Sequence, residues 1–399
     1  MTGATSRTIR EAVEPLAPFL RFLQRYQQLI ANPSDPNVCD FCFGNPHEMP
    51  LPEITDALIR WAKPQHQMWF AYKTSEPEAV EVVRASLVAR HGIPFEAADI
   101  FLTNGAFAAI TCALRAVIDP GDEVIYLSPP WFFYRTIILG FGATPVRVDI
   151  RPTRFDLPVD AIAAAVTPRT RAVIVNSPHN PSGRIYPDAD LQRLGAVLEA
   201  ASEHRERPIY LLSDEAYSRI LFDSNAFRTP LHHYRRAMLL YTYGKTLLAP
   251  GQRIGYIALP PQMPDLEQLR EAIFTAQTVT GFAWPNALMQ YALGDLEQVS
   301  IDIAALQRRR DRVLADLGAM GYEAISPEGT FYVLVRSPLT DDEAFATLLA
   351  EAGVYVLPGA VFELPGWFRI SLTANDGMVE RSLPGFRRAI EAAAVEVAS

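Results

Sequence analysis

The 399-residue chain has few of the side chains that build metal or disulfide sites. Its three cysteines include the C-x-x-C pair Cys39 and Cys42, but only Cys112 remains, so a four-ligand zinc site lacks sulfur partners. The seven histidines show no H-x-x-x-H pair at metal-binding spacing. Because CDFCF is a β-like apolar run, we expect its cysteines to be small buried hydrophobes rather than a redox pair. The composition therefore does not indicate metal catalysis.

Long apolar runs and an excess of positive charge are also missing. No run approaches the ~18 apolar residues of a transmembrane helix, and the N-terminus lacks the apolar stretch of a signal peptide. Lys+Arg 36 against Asp+Glu 45 gives a net charge of −9, which disfavours nucleic acid or an anionic membrane as the main partner. We therefore expect a soluble, cytoplasmic protein that binds small molecules.

The chain alternates between strand and helix patterns from about residue 78, which is typical of a parallel sheet covered by helices. Seven apolar runs fit strands, at residues 100–103, 123–127, 145–150, 172–176, 208–213, 238–243 and 253–259. An amphipathic helix is predicted over residues 8–30, ended by Asn32, Pro33 and Pro36, and another near residues 52–62. After residue 285 a long helical stretch runs to about Met320, followed by strands and a terminal helix.

This pattern predicts an α/β fold with a seven-stranded, mostly parallel sheet sandwiched by helices, plus a smaller α+β domain. Residues 1–47 would form an N-terminal arm and part of the small domain, and residues 48–290 the large domain. Residues 291–399 would form a long inter-domain helix and the rest of the small domain. At 399 residues the chain exceeds the usual size of one domain.

Lys245 and Arg253 stand out because they follow a predicted strand in the stretch TYGKTLLAPGQRIGYIAL. Open α/β sheets bind ligands at the carboxyl ends of their strands. A lysine held there among apolar neighbours is partly desolvated, which lowers its pKa. A larger fraction of it is then the neutral amine that can attack an aldehyde. A phosphate-binding P-loop would need glycine where Leu239 stands. A solvated surface lysine is the other interpretation, and residue type alone favours it.

Four other strand ends carry candidate binding residues. The first is followed by Gly105, Ala106 and Phe107 at a helix start, where exposed amide groups suit a phosphate. Trp131 could lie flat on a pyridine ring or pack in the core. In NSPHNPSG a rigid turn presents Asn180, whose amide could bond a phenolate oxygen. Asp214 could hold a protonated pyridine nitrogen or cap a helix, and Tyr217 would share its side if a helix begins there.

The ordered set NPSG, SDEAY, GK and R-x-G-Y resembles the class I/II aminotransferases, fold type I enzymes that depend on pyridoxal 5'-phosphate. The resemblance covers nearly the whole chain. It implies that Lys245 forms a Schiff base with the cofactor, that Asp214 pairs with the pyridine nitrogen and that Asn180 and Tyr217 contact the ring 3-oxygen. It also assigns the phosphate to Arg253, Gly105, Ala106 and Thr242, with Phe107 beside them and Trp131 stacked on the ring.

The same resemblance implies substrate and partner contacts. In WFRISLT, Arg369 would grip the substrate carboxylate, with Gly44 as a backbone contact and Asn180 nearby. Tyr72 resembles a tyrosine that reaches the phosphate of the partner subunit, although KTSEPEAVEVVR stands where the family usually has a glycine and then a helix. Phe107 stands where some aspartate-specific relatives carry a polar or basic residue, which leaves substrate specificity open.

We therefore expect a homodimeric aminotransferase, with active sites at the subunit interface, that moves an amino group from an L-amino acid to a 2-oxo acid. A lyase or oxidase acting through the same carbanion is the alternative, and an aminotransferase-like regulator fused to a DNA reader has little room in the chain. No second arginine has a motif that places it for a distal carboxylate, so aromatic or large apolar amino acids are favoured. The rings on which this depends are Trp69, Phe70, Phe107, Trp131, Phe132, Phe282, Trp284 and Phe331.

Overall fold

The computed structural model describes residues 4–29, 35 and 37–398. The three residues predicted to end the first helix, Asn32, Pro33 and Pro36, lie outside this part of the chain. The described residues form thirteen α-helices: α1 Arg7–Leu29, α2 Pro52–Ala62, α3 Pro77–His91, α4 Gly105–Val117, α5 Tyr134–Gly140, α6 Val159–Ala165, α7 Asp188–Ser202, α8 Tyr243–Thr246, α9 Leu266–Val279, α10 Ala287–Leu296, α11 Ile303–Ala319, α12 Asp342–Glu351 and α13 Asp376–Ala398.

The strands of the described residues belong to three sheets. They are β1 Cys39–Asp40, β2 Ile100–Thr103, β3 Glu123–Ser128, β4 Thr144–Asp149, β5 Thr170–Asn176, β6 Tyr210–Asp214, β7 Ala237–Thr242, β8 Gly255–Ala258, β9 Ala324–Ile325, β10 Tyr332–Arg336, β11 Val354–Tyr355, β12 Leu357–Pro358 and β13 Trp367–Ser371. All seven strands predicted between residues 100 and 259 are present, with ends that differ by one or two residues from the predicted ones in most cases.

The seven-stranded sheet has the order β2-β8-β7-β6-β5-β3-β4. All neighbours pair in parallel except β8, which runs antiparallel to both β2 and β7. The sheet is covered on both faces, because Leu211 packs with α7 on one side while the next residue, Leu212, packs with α4 on the other. Strands buried on both faces are near-continuous apolar runs, which is why they could be recognised in the sequence. The predicted α/β fold class is confirmed.

The smaller sheet is antiparallel, with the order β12-β13-β10-β9. Its core is shared with α11, α12 and α13. A separate parallel pair joins β1, near the N-terminus, to β11, so the segment that follows β1 lies against the C-terminal part of the chain. The division of the chain at residues 47 and 290 stays a prediction.

The helical stretch predicted from residue 285 to about Met320 is present, but it forms two helices, α10 and α11, separated by residues 297–302, rather than one long helix. The side chain of Asp302 accepts a hydrogen bond from the Ala305 amide and so caps the start of α11. Glu297, just after α10, is buried and pairs with Arg219 at 2.9 Å. Among the described residues, no helix is long and apolar enough to cross a bilayer.

Candidate active site

A cavity of about 280 Å³ lies at the carboxyl ends of the central strands, between the large sheet and the C-terminal sheet. The last residues of β5, β6 and β7 (Asn176, Asp214 and Thr242) form its floor, and β10 and β13 contribute Tyr332 and Arg369. It brings together eleven of the predicted site residues: Gly44, Ala106, Phe107, Trp131, Asn180, Asp214, Tyr217, Thr242, Lys245, Arg253 and Arg369. Residues from both sheets and from the N-terminal segment thus converge on one space.

Lys245 points into this cavity from the short helix α8. Thr242 ends β7 and caps α8, since its hydroxyl accepts a hydrogen bond from the Gly244 amide at 3.3 Å. The Lys245 Nζ lies 5.5 Å from the centre of the Tyr217 ring and 5.6 Å from that of Phe331. The amine therefore lies near two aromatic rings within the site rather than on the outer surface.

Asp214 is buried at the end of β6 and receives two hydrogen bonds. The Tyr134 hydroxyl donates to Oδ2, and the Ala216 amide donates to Oδ1 at 3.3 Å. Burial raises the pKa of Asp214, while these two donors and the charge of Lys245 oppose that rise. No helix follows, because residues 216–219 form a turn, so Asp214 does not cap a helix. The sequence placed Tyr217 on the same side as Asp214 on the condition that a helix begins there, and that helix is absent. Tyr217 nevertheless lines the cavity.

One end of the cavity has the features of an anion cradle. Gly105 begins α4 with φ +79°, and a Cβ built on it would lie only 2.6 Å from Nη2 of Arg253. Arg253 donates to the Pro250 carbonyl at 2.6 Å and pairs with no carboxylate in the described part of the chain. Burial lowers the pKa of Arg253, since no counter-charge offsets the loss of solvent. A helix N-terminus, an unpaired guanidinium and the Thr242 hydroxyl together fit a phosphate group.

The other end holds Arg369, which is 2% exposed. Its Nη1 donates to Oδ1 of Asn180 at 2.9 Å, and its Nη2 donates to the Cys42 carbonyl at 3.1 Å. Its Nε has no hydrogen-bond partner, and no carboxylate among the described residues pairs with it. A buried, uncompensated cation is strongly unfavourable, so this geometry favours an anionic ligand that supplies the missing charge.

Two predicted residues do not line the cavity. Gly105 lies just outside its wall, next to Arg253. Tyr72 is 86% exposed and touches Trp284, with ring centres 5.1 Å apart. Its predicted contact with a partner subunit stays a prediction. No group of three or more His, Cys, Asp or Glu side chains that could hold a metal ion occurs in the described residues.

The structure also identifies site residues that the sequence reasoning missed. Asn176 bonds the Asn180 amide and the Asp214 carbonyl, which fixes the turn after β5. Tyr134 supports Asp214, and Phe43 and Tyr332 line the cavity. The sequence around Tyr134 is WFFY, in which any of four rings could face the site. For Tyr332 a clearer signal was present in the sequence. Successive residues of a strand face opposite sides of the sheet, so only one of Phe331 and Tyr332 could face the cavity.

Only three of the eight rings used to predict the substrate line the cavity, namely Phe107, Trp131 and Phe132. Phe331 is fully buried behind Lys245, and Trp69 stacks on Trp61 and Tyr291 away from the site. Phe70 and Trp284 are more than half exposed outside it. Phe43 adds a ring that was not predicted. The cavity wall is aromatic, and the part of the set that bears on the substrate is reduced to Phe107, Trp131 and Phe132.

Comparison with known proteins agrees with this architecture. The family model for aminotransferase class I and II matches residues 36–383, so the chain belongs to this family. An aspartate/prephenate aminotransferase of Thermus thermophilus is 31% identical over 358 residues, covering 87% of this chain and 89% of the relative. The enzyme of that name from Cereibacter sphaeroides is 34% identical over 330 residues, covering 77% and 80%.

Solved structures show the same fold. An amino transferase from Eubacterium rectale superposes with a TM-score of 0.89 at 27% identity, covering 98% of this chain and 99% of that one. The protein is therefore an aminotransferase, as the sequence motifs predicted, and nothing in the comparisons favours the lyase or oxidase alternative.

Proposed function

We propose that this enzyme binds pyridoxal phosphate covalently through Lys245 and transfers an amino group between an L-amino acid and a 2-oxo acid. The observation that carries the proposal is the pair of guanidinium groups, Arg253 and Arg369, that lack carboxylate partners in the described residues and line one cavity with Lys245. Two anionic groups are needed to compensate them. A cofactor phosphate and a substrate carboxylate are the pair that these positions fit.

When bound, the cofactor supplies an aldehyde that takes up the amino group and a pyridine ring that accepts the electrons released at Cα. Asp214 would hold the ring nitrogen in its protonated form, because a buried carboxylate favours a neighbouring positive charge. Trp131 would lie against the ring, and Asn180 and Tyr217 would contact its 3-oxygen. Gly105, Ala106, Phe107, Thr242 and Arg253 would surround the phosphate.

The substrate would be oriented by Arg369, whose planar fork binds a carboxylate in two places at once. Gly44 lies in the same wall, where any larger residue would overlap the Phe331 ring, since a Cβ at Gly44 would lie 2.6 Å from Cε2 of that ring. Lys245, already facing the cavity, would remove the proton from Cα of the substrate and deliver it to the carbon that the cofactor's aldehyde supplies. Fixing the carboxylate selects the Cα–H bond for cleavage over the bond to the carboxylate.

We propose that the active enzyme is a homodimer with Tyr72 at the interface. Tyr72 and Trp284, which touch each other, and the nearby residues Met68 and Phe70 of the same segment as Tyr72 are each more than half exposed. Exposed large apolar side chains in contact favour a surface that another protein covers. A second copy that covers this surface would bring Tyr72 toward a neighbouring phosphate site. A monomer that is fully active at all dilutions would contradict this arrangement.

Reduction with borohydride followed by peptide mapping tests the cofactor assignment. Lys63, Lys73 and Lys245 are the only lysines in the sequence, so the readout has three possible positions. We expect the label on Lys245 and complete loss of label and activity in Lys245→Ala. Lys73→Ala is the matched control, since Lys73 pairs with Glu76 at 3.1 Å outside the cavity. A label on Lys63 or Lys73 would contradict the proposal.

A further inference from the structure

Tyr332 makes the closest aromatic contact with Arg369, and none of the sequence motifs singled it out. The guanidinium carbon of Arg369 lies 3.8 Å from the centre of the Tyr332 ring. The contact is built by the sheet, because β10 and β13 are antiparallel neighbours and pair Tyr332 with Ser371, two residues beyond Arg369. Tyr332 is 4% exposed, so the stacked pair is shielded from water. A cation over an aromatic face is worth more when it is desolvated.

The hydrogen bonds of Arg369 do not fix the tilt of its guanidinium plane, and the Tyr332 ring does. Asn180 Oδ1 and the Cys42 carbonyl accept hydrogen bonds from two nitrogens and so direct the edge of the guanidinium. In-plane bonds of this kind do not by themselves stop the group from tilting. The flat face of Tyr332 at van der Waals distance does, because tilting would press the guanidinium into the ring.

Tyr332 is itself held on several sides. A Cβ on Gly44 would lie 2.9 Å from its hydroxyl oxygen, and the Tyr217 ring lies 5.9 Å away, edge to face. Burial disfavours the phenolate of Tyr332, but the positive charges of Arg369 and Lys245, together with a hydrogen bond from Tyr217, lower its pKa. The ring thus occupies a fixed position against Arg369, with Lys245 close enough for its charge to act on the hydroxyl.

We propose that Tyr332 is a substrate-positioning residue whose ring face sets the plane in which Arg369 meets the carboxylate of the substrate. The inference rests on the proposed function, in which Arg369 binds that carboxylate. A carboxylate that accepts two parallel hydrogen bonds from one edge of a flat guanidinium lies in the plane of the guanidinium. The ring therefore fixes the orientation of the carboxylate and of the attached Cα. Loss of the ring face therefore weakens carboxylate binding, whereas loss of the hydroxyl alone does not.

The test measures binding of two amine-free carboxylates, 3-phenylpropanoate and succinate, to the holoenzyme by calorimetry. Tyr332→Met keeps an apolar side chain of similar length and removes the ring. We expect it to weaken both carboxylates about 5- to 10-fold, because a tilted guanidinium loses part of one of its two charge-assisted hydrogen bonds to the carboxylate. Tyr332→Phe keeps the ring, and we expect its affinities to stay within 2-fold of the wild type. Tyr332→Leu replaces Tyr332→Met if the latter does not fold.

Two controls separate positioning from a general effect on the fold. Tyr322 is a buried tyrosine of the same part of the chain that bonds the Phe386 carbonyl and does not line the cavity. Tyr322→Met is therefore expected to leave both affinities within 2-fold of the wild type. In an Arg369→Lys background, Tyr332→Met should cost less than 2-fold, because an ammonium group has no plane for the ring to orient.

Each remaining outcome overturns a defined statement. Equal affinities in Tyr332→Met and Tyr322→Met, or an undiminished effect of Tyr332→Met in the Arg369→Lys background, would refute the positioning role. A loss of more than 5-fold in Tyr332→Phe would mean that the hydroxyl, not the ring face, contacts the carboxylate. A wild-type holoenzyme that binds neither carboxylate would instead refute the proposed function of Arg369 itself.

Discussion

The hydroxyl of Tyr134, at the start of α5, donates a hydrogen bond to Oδ2 of Asp214 in the cavity floor. Both groups are buried, and burial together with the neighbouring carboxylate raises the pKa of Tyr134, so the tyrosine stays a donor. The bond therefore stabilises the ionised form of Asp214 against the penalty of burial. This carboxylate is the group that we propose to pair with the pyridine nitrogen.

Asp214→Asn should retain most cofactor binding but slow Cα proton transfer by about 10³-fold or more, because an amide does not favour a protonated pyridine. Tyr134→Phe should slow it about 10-fold, since Asp214 keeps its charge but loses one charge-assisted hydrogen bond. Single-turnover absorbance changes after mixing with an amino acid measure both rates. Wild-type rates in Asp214→Asn would show that Asp214 has only a structural role.

Gly105→Ala should weaken cofactor binding at least 10-fold. The new Cβ would lie 2.6 Å from Nη2 of Arg253 and would push the guanidinium out of the cradle. Gly92→Ala is the matched control, because Gly92 also has a positive φ, +67°, but has no atom within 4 Å of the added Cβ. Both variants bear backbone strain of about 1 kcal/mol. Equilibrium titration with pyridoxal phosphate distinguishes them, and equal affinities in the two variants would refute the cradle.

Glu215 should make the protein less stable as the pH rises. Burial raises its pKa to about 8, although hydroxyl donors at Ser213 and Thr229 oppose the rise. The folded state therefore keeps a proton that the unfolded chain loses near its ordinary pKa of about 4.3, so stability declines from that pH up to about 8. As the pH rises from 5.5 to 7.5, this one group lowers the free energy of unfolding by about 2 kcal/mol.

Glu215→Gln should remove this part of the pH dependence, because the amide resembles the protonated acid and cannot ionise. Urea unfolding at pH 5.5, 6.5 and 7.5, at fixed protein and cofactor concentrations, measures it. Glu203→Gln serves as the control, since the side chain of Glu203 is 70% exposed. A pH slope in Glu215→Gln equal to that of the wild type would mean that Glu215 is ionised in the folded protein.

Phenylalanine, tyrosine or methionine should give a higher kcat/KM than aspartate. Phe43, Phe107, Trp131 and Phe132 line the cavity, and its only cations in the described residues are Lys245, Arg253 and Arg369. A distal carboxylate would thus be left without a partner within one subunit, which is unfavourable in a buried site. The relatives are named for aspartate and prephenate, so the assay panel must contain acidic and ring-bearing substrates.

Phe107→Lys provides the converse variant for this prediction. Phe107 is partly exposed on the cavity wall, so a lysine there can reach a distal carboxylate without being fully buried. We expect the variant to improve kcat/KM for aspartate relative to phenylalanine by about 10-fold or more, equivalent to ~1.4 kcal/mol. If the wild type already prefers aspartate tenfold, the aromatic interpretation is wrong and a partner subunit must supply a cation.

The sequence by itself determined the seven central strands and the order of the residues at their carboxyl ends. Strands such as β5 and β7 are buried on both faces, so they form continuous apolar runs that local sequence alone reveals. Parallel strands also bring their ends to one edge, so Asp214, Lys245 and Asn180 could be expected together. The family motifs are specific because they combine these local signals in a fixed order.

Only the tertiary structure decided which distant groups complete the site. Tyr134 bonds Asp214 from 80 residues away, and Arg369 bonds Asn180 from 189 residues away, so their contacts depend on how helices and sheets pack rather than on local pattern. The stacking of Arg369 on Tyr332 depends on the register between β10 and β13. Apolar periodicity predicts that a ring is buried, but it does not tell a core ring such as Phe331 from a cavity ring such as Phe132, because both leave water for an apolar neighbour.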